Sequence, residues 1–170
     1  MATVVVGIDG STESRCALVF ALQDASRRHA RLRVVTAAPV PRRWGSAYGM
    51  GMSGTVAPPS TAETVGAARA TAQVLVDGVA ADHPDLVSGV PIDIVAAVGA
   101  PAEVLLSIAR HADLLVLGHR GHGGFAGVLL GSVGLQCVLH AECPVTVVRP
   151  RADVYADTRS AECAPAANGA

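Results

Sequence analysis

Short apolar runs alternate along the chain with longer stretches whose apolar residues recur every three or four positions. TVVVGID, near the start, is an apolar run ending at a turn, the pattern of a strand buried on both faces. Ser11 or Thr12 can cap the helix that follows, predicted from Glu13 to about Ala30 with Ala17, Ala21 and Ala25 on one stripe and Leu18 and Leu22 beside it. A second strand, LRVVTAAP, comes next. From Thr61 to Ala81, Val65, Ala68, Ala72, Leu75 and Val79 repeat at intervals of 3, 4, 3 and 4, which predicts a helix. PIDIVAAVG reads as a strand, APAEVLLSIARHA as a helix with Pro101 in its first turn, and DLLVLG as a fourth strand. A helix from about Ser132 to His140 and a fifth strand, PVTVVRP, complete the alternation. The expected fold is therefore α/β: one domain, with a five-stranded, mostly parallel sheet covered by helices on both faces.

Two segments break the alternation. Residues 39–60 carry four prolines and four glycines with no apolar period, together with Trp44, Tyr48, Met50 and Met52, and read as a long loop. Residues 151–170 are alanine-rich and aperiodic, so a disordered tail is expected after a domain spanning 1–150.

At 170 residues, with 51% hydrophobic and 16% charged side chains and a net charge of -1, the chain fits one globular domain, not an acidic tail or a basic nucleic-acid surface. No apolar run approaches a membrane span, and the opening MATVVVGIDGSTES lacks a basic segment followed by an apolar one, so a cytoplasmic protein is expected. Cysteines 16, 137, 143 and 163 form no CxxC pair, and reduced thiols are the expectation. His119 and His122 alone do not make a metal site. All 13 basic residues are arginine. This bias, with the abundant alanine, suggests a GC-rich bacterial genome.

Candidate chemistry concentrates in GHRGHGGFAGVLLGS, residues 118–132, where six of fifteen residues are glycine. The segment joins the end of a predicted strand to the start of a predicted helix, where parallel α/β sheets bind ligands and where free helix amides favour an anion. A P-loop requires a lysine, which this chain lacks. A dinucleotide fingerprint requires GxGxxG after the first strand, and Gly7 and Gly10 have the wrong spacing.

Gly118, Gly121 and Gly131 followed by Ser132 form the spacing G-x2-G-x9-G-S. This resembles the ATP-binding branch of the universal stress protein family. GIDGSTESRCAL is similar to that family's opening, VGAPAEVLLSIARHADLLVLG to its third helix and fourth strand, and CPVTVVRP to its closing strand, so that residues 2–150 are covered. The resemblance implies a Rossmann-like fold of the adenine nucleotide alpha hydrolase kind. It implies an ATP site, with or without Mg2+, in which Gly7 and Asp9 lie beside the adenosine and the backbone of Ala37 reads the adenine edge. Leu117 and Gly118 would flank the ribose, and Arg120, Gly121, Gly131, Ser132 and Val133 would surround the phosphates. The motif glycines would leave room for the ligand to approach the backbone. No metal-ligating side chain and no catalytic residue is implied.

The resemblance further implies a homodimer through the last strand, Val145 to Val148, with neither nucleic acid nor membrane as partner. Gly134 departs from the family pattern, which often has a hydroxyl residue there. The implied role is nucleotide-dependent stress signalling, with at most weak ATP hydrolysis, because hydrolysis needs a positioned water and transition-state charge. The alternatives are a slow ATP hydrolase and a nucleotide-free dimeric scaffold.

Overall fold

The computed structural model describes residues 1–40, 59–121 and 130–150; most of the long loop, part of the glycine segment and the tail lie outside the described residues. The elements are β1 (Thr3–Gly7), α1 (Thr12–Arg28), β2 (Arg31–Ala38), α2 (Thr61–Asp82), α3 (Pro84–Val87), β3 (Ile92–Val98), α4 (Pro101–Ala109), β4 (Leu114–Gly118), α5 (Ser132–His140) and β5 (Val145–Val148). Of these, only α3 was not anticipated. It is a single turn opened by Pro84 at its N-terminus, too short to show a period.

All four strand pairings are parallel, and the order is β3-β2-β1-β4-β5. The chain moves outward from β1 through β2 to β3, then returns to β4 on the other side of β1. Crossovers of constant hand therefore place α1 and α2 on one face and α4 and α5 on the other. The core divides accordingly. One cluster joins α1 and α2 to Val4, Val6, Leu32 and Val34, while the other joins α4 and α5 to Val5, Val35, Leu115 and Leu117.

The middles of β1 and β4 are apolar because both faces of the sheet are covered there: Val4, Val5 and Val6 are fully buried, as are Leu115 and Val116. The small-residue stripe of α1 lets its backbone approach the sheet, with Ala17, Leu18, Ala21, Leu22 and Ala25 all fully buried. Burying each of the leucines contributes about 1.5–3 kcal/mol. Ser11 is the N-cap of α1, its hydroxyl accepting from the Ser14 amide at 3.1 Å. At the sheet edge, all four β5 residues are only half-buried. Cys137 and Cys143 are free thiols, as expected, whereas Cys16 is disulfide-bonded, contrary to the expectation.

Candidate functional site

Between β1 and β4 the connections depart in opposite directions, and the carboxyl ends of the two strands open into a cavity of about 340 Å³. All ten residues singled out from the sequence lie in its wall. Gly7 and Asp9 come from the end of β1 and the turn after it, and Ala37 from β2. Leu117, Gly118, Arg120 and Gly121 come from β4 and its exit; Gly131, Ser132 and Val133 come from the start of α5. The wall also contains Ile8, Ser14, Val35, Pro101, Leu105 and Gly134. Pro101 could have been foreseen: it starts α4, and in this topology α4 must begin at the edge where the strands end.

The start of α5 lines the cavity. Its N-cap is Gly131, which offers no side-chain cap, in contrast to Ser11 on α1 and to the reciprocal Ser60–Glu63 capping box on α2. Among the described residues the amides of Ser132, Val133 and Gly134 find no acceptor, so the positive end of the helix faces the cavity. Arg120 stands beside it with a buried Nε that has no hydrogen-bond partner among the described residues. His119 holds the frame together through its backbone: its N–H donates to Val148 O at 2.9 Å, and its carbonyl accepts from Gly131 N at 2.9 Å. Burial lowers the pKa of its imidazole; Glu13 opposes that shift, while Arg120 and Arg149 reinforce it.

Asp9 is partly structural. Its Oδ1 accepts from Ser11 N at 3.0 Å and from Ser11 Oγ at 2.6 Å, fixing the residue that caps α1.

The glycines have different reasons. A Cβ on Gly118 would lie 2.8 Å from the Glu13 carbonyl carbon and 2.9 Å from its oxygen, so Gly118 is needed for the strand to pass the first turn of α1. A Cβ on Gly121 would overlap Asp9 Oδ2. At both positions the space that a Cβ would take is held by protein, while the glycine backbone lines the cavity. Gly131 is different: its nearest neighbour would be Arg120 Cα at 3.6 Å, an ordinary contact. At Gly134 the space that a hydroxyl side chain would take holds Leu130 Cδ1, 2.8 Å from the Cβ position.

At the other end of the cavity, Val35, Leu105 and Pro101 make an apolar wall beside Ala37. Hydrogen bonds alternate in direction along a parallel strand. Ile8 N donates to Val35 O, so Val35 faces β1, whereas Gly99 N donates to Ala38 O, so Ala38 faces β3. Ala37 therefore faces the side of β1. There the pairing ends at Gly7 with Val35, and among the described residues the N–H and C=O of Ala37 remain unpaired. One residue thus presents an adjacent donor and acceptor to the cavity.

Comparison with known proteins matches residues 1–149 to the model of the universal stress protein family. The chain belongs to the universal stress protein family. A universal stress protein of Mycolicibacterium smegmatis is 35% identical over 155 residues, covering 87% of this chain and 46% of its own length. One from Mycobacterium tuberculosis is 31% identical over 159 residues, covering 85% of this chain and 47% of its own. The chain thus spans about half the length of these curated relatives. A solved universal stress protein in complex with cAMP is 28% identical with a TM-score of 0.57, covering 87% of this chain and 96% of that one. Among the described residues no helix is long and apolar enough to cross a membrane.

Proposed function

We propose that this universal stress protein binds an adenine nucleotide in the cavity between β1 and β4, ATP by the reading of its glycine spacing, and that occupancy of the site, not turnover, is its output. One observation carries this reading: a single cavity has an anion pole at one end and a base-reading pole at the other. At the anion pole, the uncapped α5 amides and the Arg120 guanidinium suit a phosphate. At the base pole, the unpaired C=O and N–H of Ala37 suit the N6 amine and N1 of adenine, against an apolar wall that accepts its ring. A related protein solved with cAMP supports the same ligand class. In this reading the protein acts in the cytoplasm of a bacterium as a stress-signalling regulator.

The reading includes a homodimer through Val145 to Val148. β5 is a half-buried edge strand, and α5 beside it exposes Leu135, Val138 and Leu139 at 50%, 49% and 65%. Edges and apolar faces of this kind are covered in stable proteins. The relatives' length, about twice the span matched, leaves room for a second unit.

Calorimetric titration with ATP, AMP and GTP tests the function. ATP and AMP should bind, and GTP should bind at least about tenfold more weakly, because guanine presents a donor at N1 and an acceptor at O6. Equal binding of GTP would overturn the role of Ala37. No heat with any nucleotide would favour the nucleotide-free scaffold.

A further inference from the structure

Ser14 lies in the cavity wall at 3% exposure and is, with Asp24, one of two buried polar or charged residues among those described. It stands in the first turn of α1, at the level where Gly118 passes Glu13. Its hydroxyl proton is committed: Oγ donates to Ser11 O at 2.9 Å. What the hydroxyl has left to offer is acceptor capacity, and among the described residues no group donates to it. That remaining lone-pair capacity is open to a donor that a ligand brings into the cavity.

This inference rests on the nucleotide reading above. An adenine nucleotide has three kinds of hydrogen-bond donor: the N6 amine and the two ribose hydroxyls. Its phosphates accept. The amine belongs with the Ala37 carbonyl on β2, across β1 from α1, and the phosphates belong with α5 and Arg120. The position between those two poles is that of the sugar. We infer that Ser14 is a specificity-determining residue that accepts a hydrogen bond from a ribose hydroxyl, so that the site distinguishes ribonucleotides from their deoxy counterparts. Asp9, whose Oδ1 is engaged by Ser11, is the only carboxylate in the same wall among the described residues. An acceptor-rich neighbourhood of this kind selects for a donor and gains nothing from a bare C–H.

The test titrates AMP, 2′-deoxy-AMP and 3′-deoxy-AMP into the wild-type protein and into Ser14→Ala, with thermal melting as the folding control. The wild type should bind AMP about 3- to 10-fold more tightly than at least one deoxy analogue, the equivalent of one neutral hydrogen bond. Ser14→Ala should weaken AMP by that factor and leave the discriminated analogue unchanged. The inference is overturned if the wild type binds all three alike, or if Ser14→Ala weakens all three equally or none. Equal binding of the analogues by the wild type overturns the inference even where the variant fails to fold. Equal binding of the three ligands would leave the nucleotide reading standing, whereas failure of all three to bind would remove both.

Discussion

Gly118 and Gly131 belong to the same glycine motif, and the structure separates their roles sharply enough to predict opposite phenotypes. A methyl group on Gly118 would meet Glu13 backbone atoms at 2.8 and 2.9 Å, which cannot yield without moving the first turn of α1. Overpacking of this kind costs typically about 1–3 kcal/mol. For a chain of this size that corresponds to a fall in melting temperature of about 2–12 °C for Gly118→Ala. Gly131→Ser is the converse. The new Cβ meets nothing closer than 3.6 Å, the backbone at φ -65° and ψ 160° suits an N-cap, and the hydroxyl can accept from a first-turn amide of α5.

Replacing a glycine N-cap by serine gains a few tenths of a kcal/mol, or about 1 °C. The same hydroxyl consumes a donor that the nucleotide reading assigns to phosphate. Losing a charge-assisted hydrogen bond of about 1.5–3 kcal/mol weakens binding about 10- to 100-fold. Differential scanning calorimetry and nucleotide titration on the two variants read both effects. A Gly118→Ala protein that melts with the wild type would refute the packing account, and a Gly131→Ser protein that binds nucleotide normally would refute the placement of phosphate at α5.

Leu139→Glu, at a position 65% exposed, should leave the fold intact and shift the protein from dimer to monomer in light scattering; a wild type that is already monomeric at micromolar concentration would dismiss the α5–β5 interface. Burial raises the Cys137 thiol to about 11, so it should stay unmodified by iodoacetamide at pH 8 in the folded protein and react on unfolding, as read by mass spectrometry. His119 is held below its ordinary value near 6.5 by burial, so as the pH falls below about 6.5 the unfolded chain takes up a proton that the folded chain resists. Stability should therefore fall with pH in that range, and His119→Asn should flatten the dependence in thermal melts at pH 5 to 8.

The strands were legible because both faces of the central ones are buried, which gives β1 the apolar run Val4–Val6 and β4 the apolar run Leu114–Leu117. The stripe of Ala17, Ala21 and Ala25 was legible because a helix lying on a sheet needs small residues at a spacing of 4. The site residues were legible where they sit on motif positions. Leu105 and Ser14 were not, since each looks like an ordinary helix position and reaches the cavity only through the crossover that delivers its helix to that edge. The reason for Gly118 was hidden for the same cause: the group that excludes its Cβ is a backbone carbonyl on α1, far away in sequence. Asp9 serves two purposes, of which the sequence showed one: an oxygen holds the cap of α1, and the residue as a whole stands in the cavity wall.

The central claim is that one cavity, bounded by Ala37 at one end and the start of α5 at the other, holds an adenine nucleotide. An amide-resolved NMR titration of the isotope-labelled protein with AMP tests it most directly. The account predicts that the amides of Ala37, Ser132 and Val133 shift together along one saturable curve, while amides at the opposite edge of the sheet, such as Thr3 and Arg31, stay in place. Shifts confined to other regions, or no saturable shift at Ala37 and the α5 amides, would contradict it.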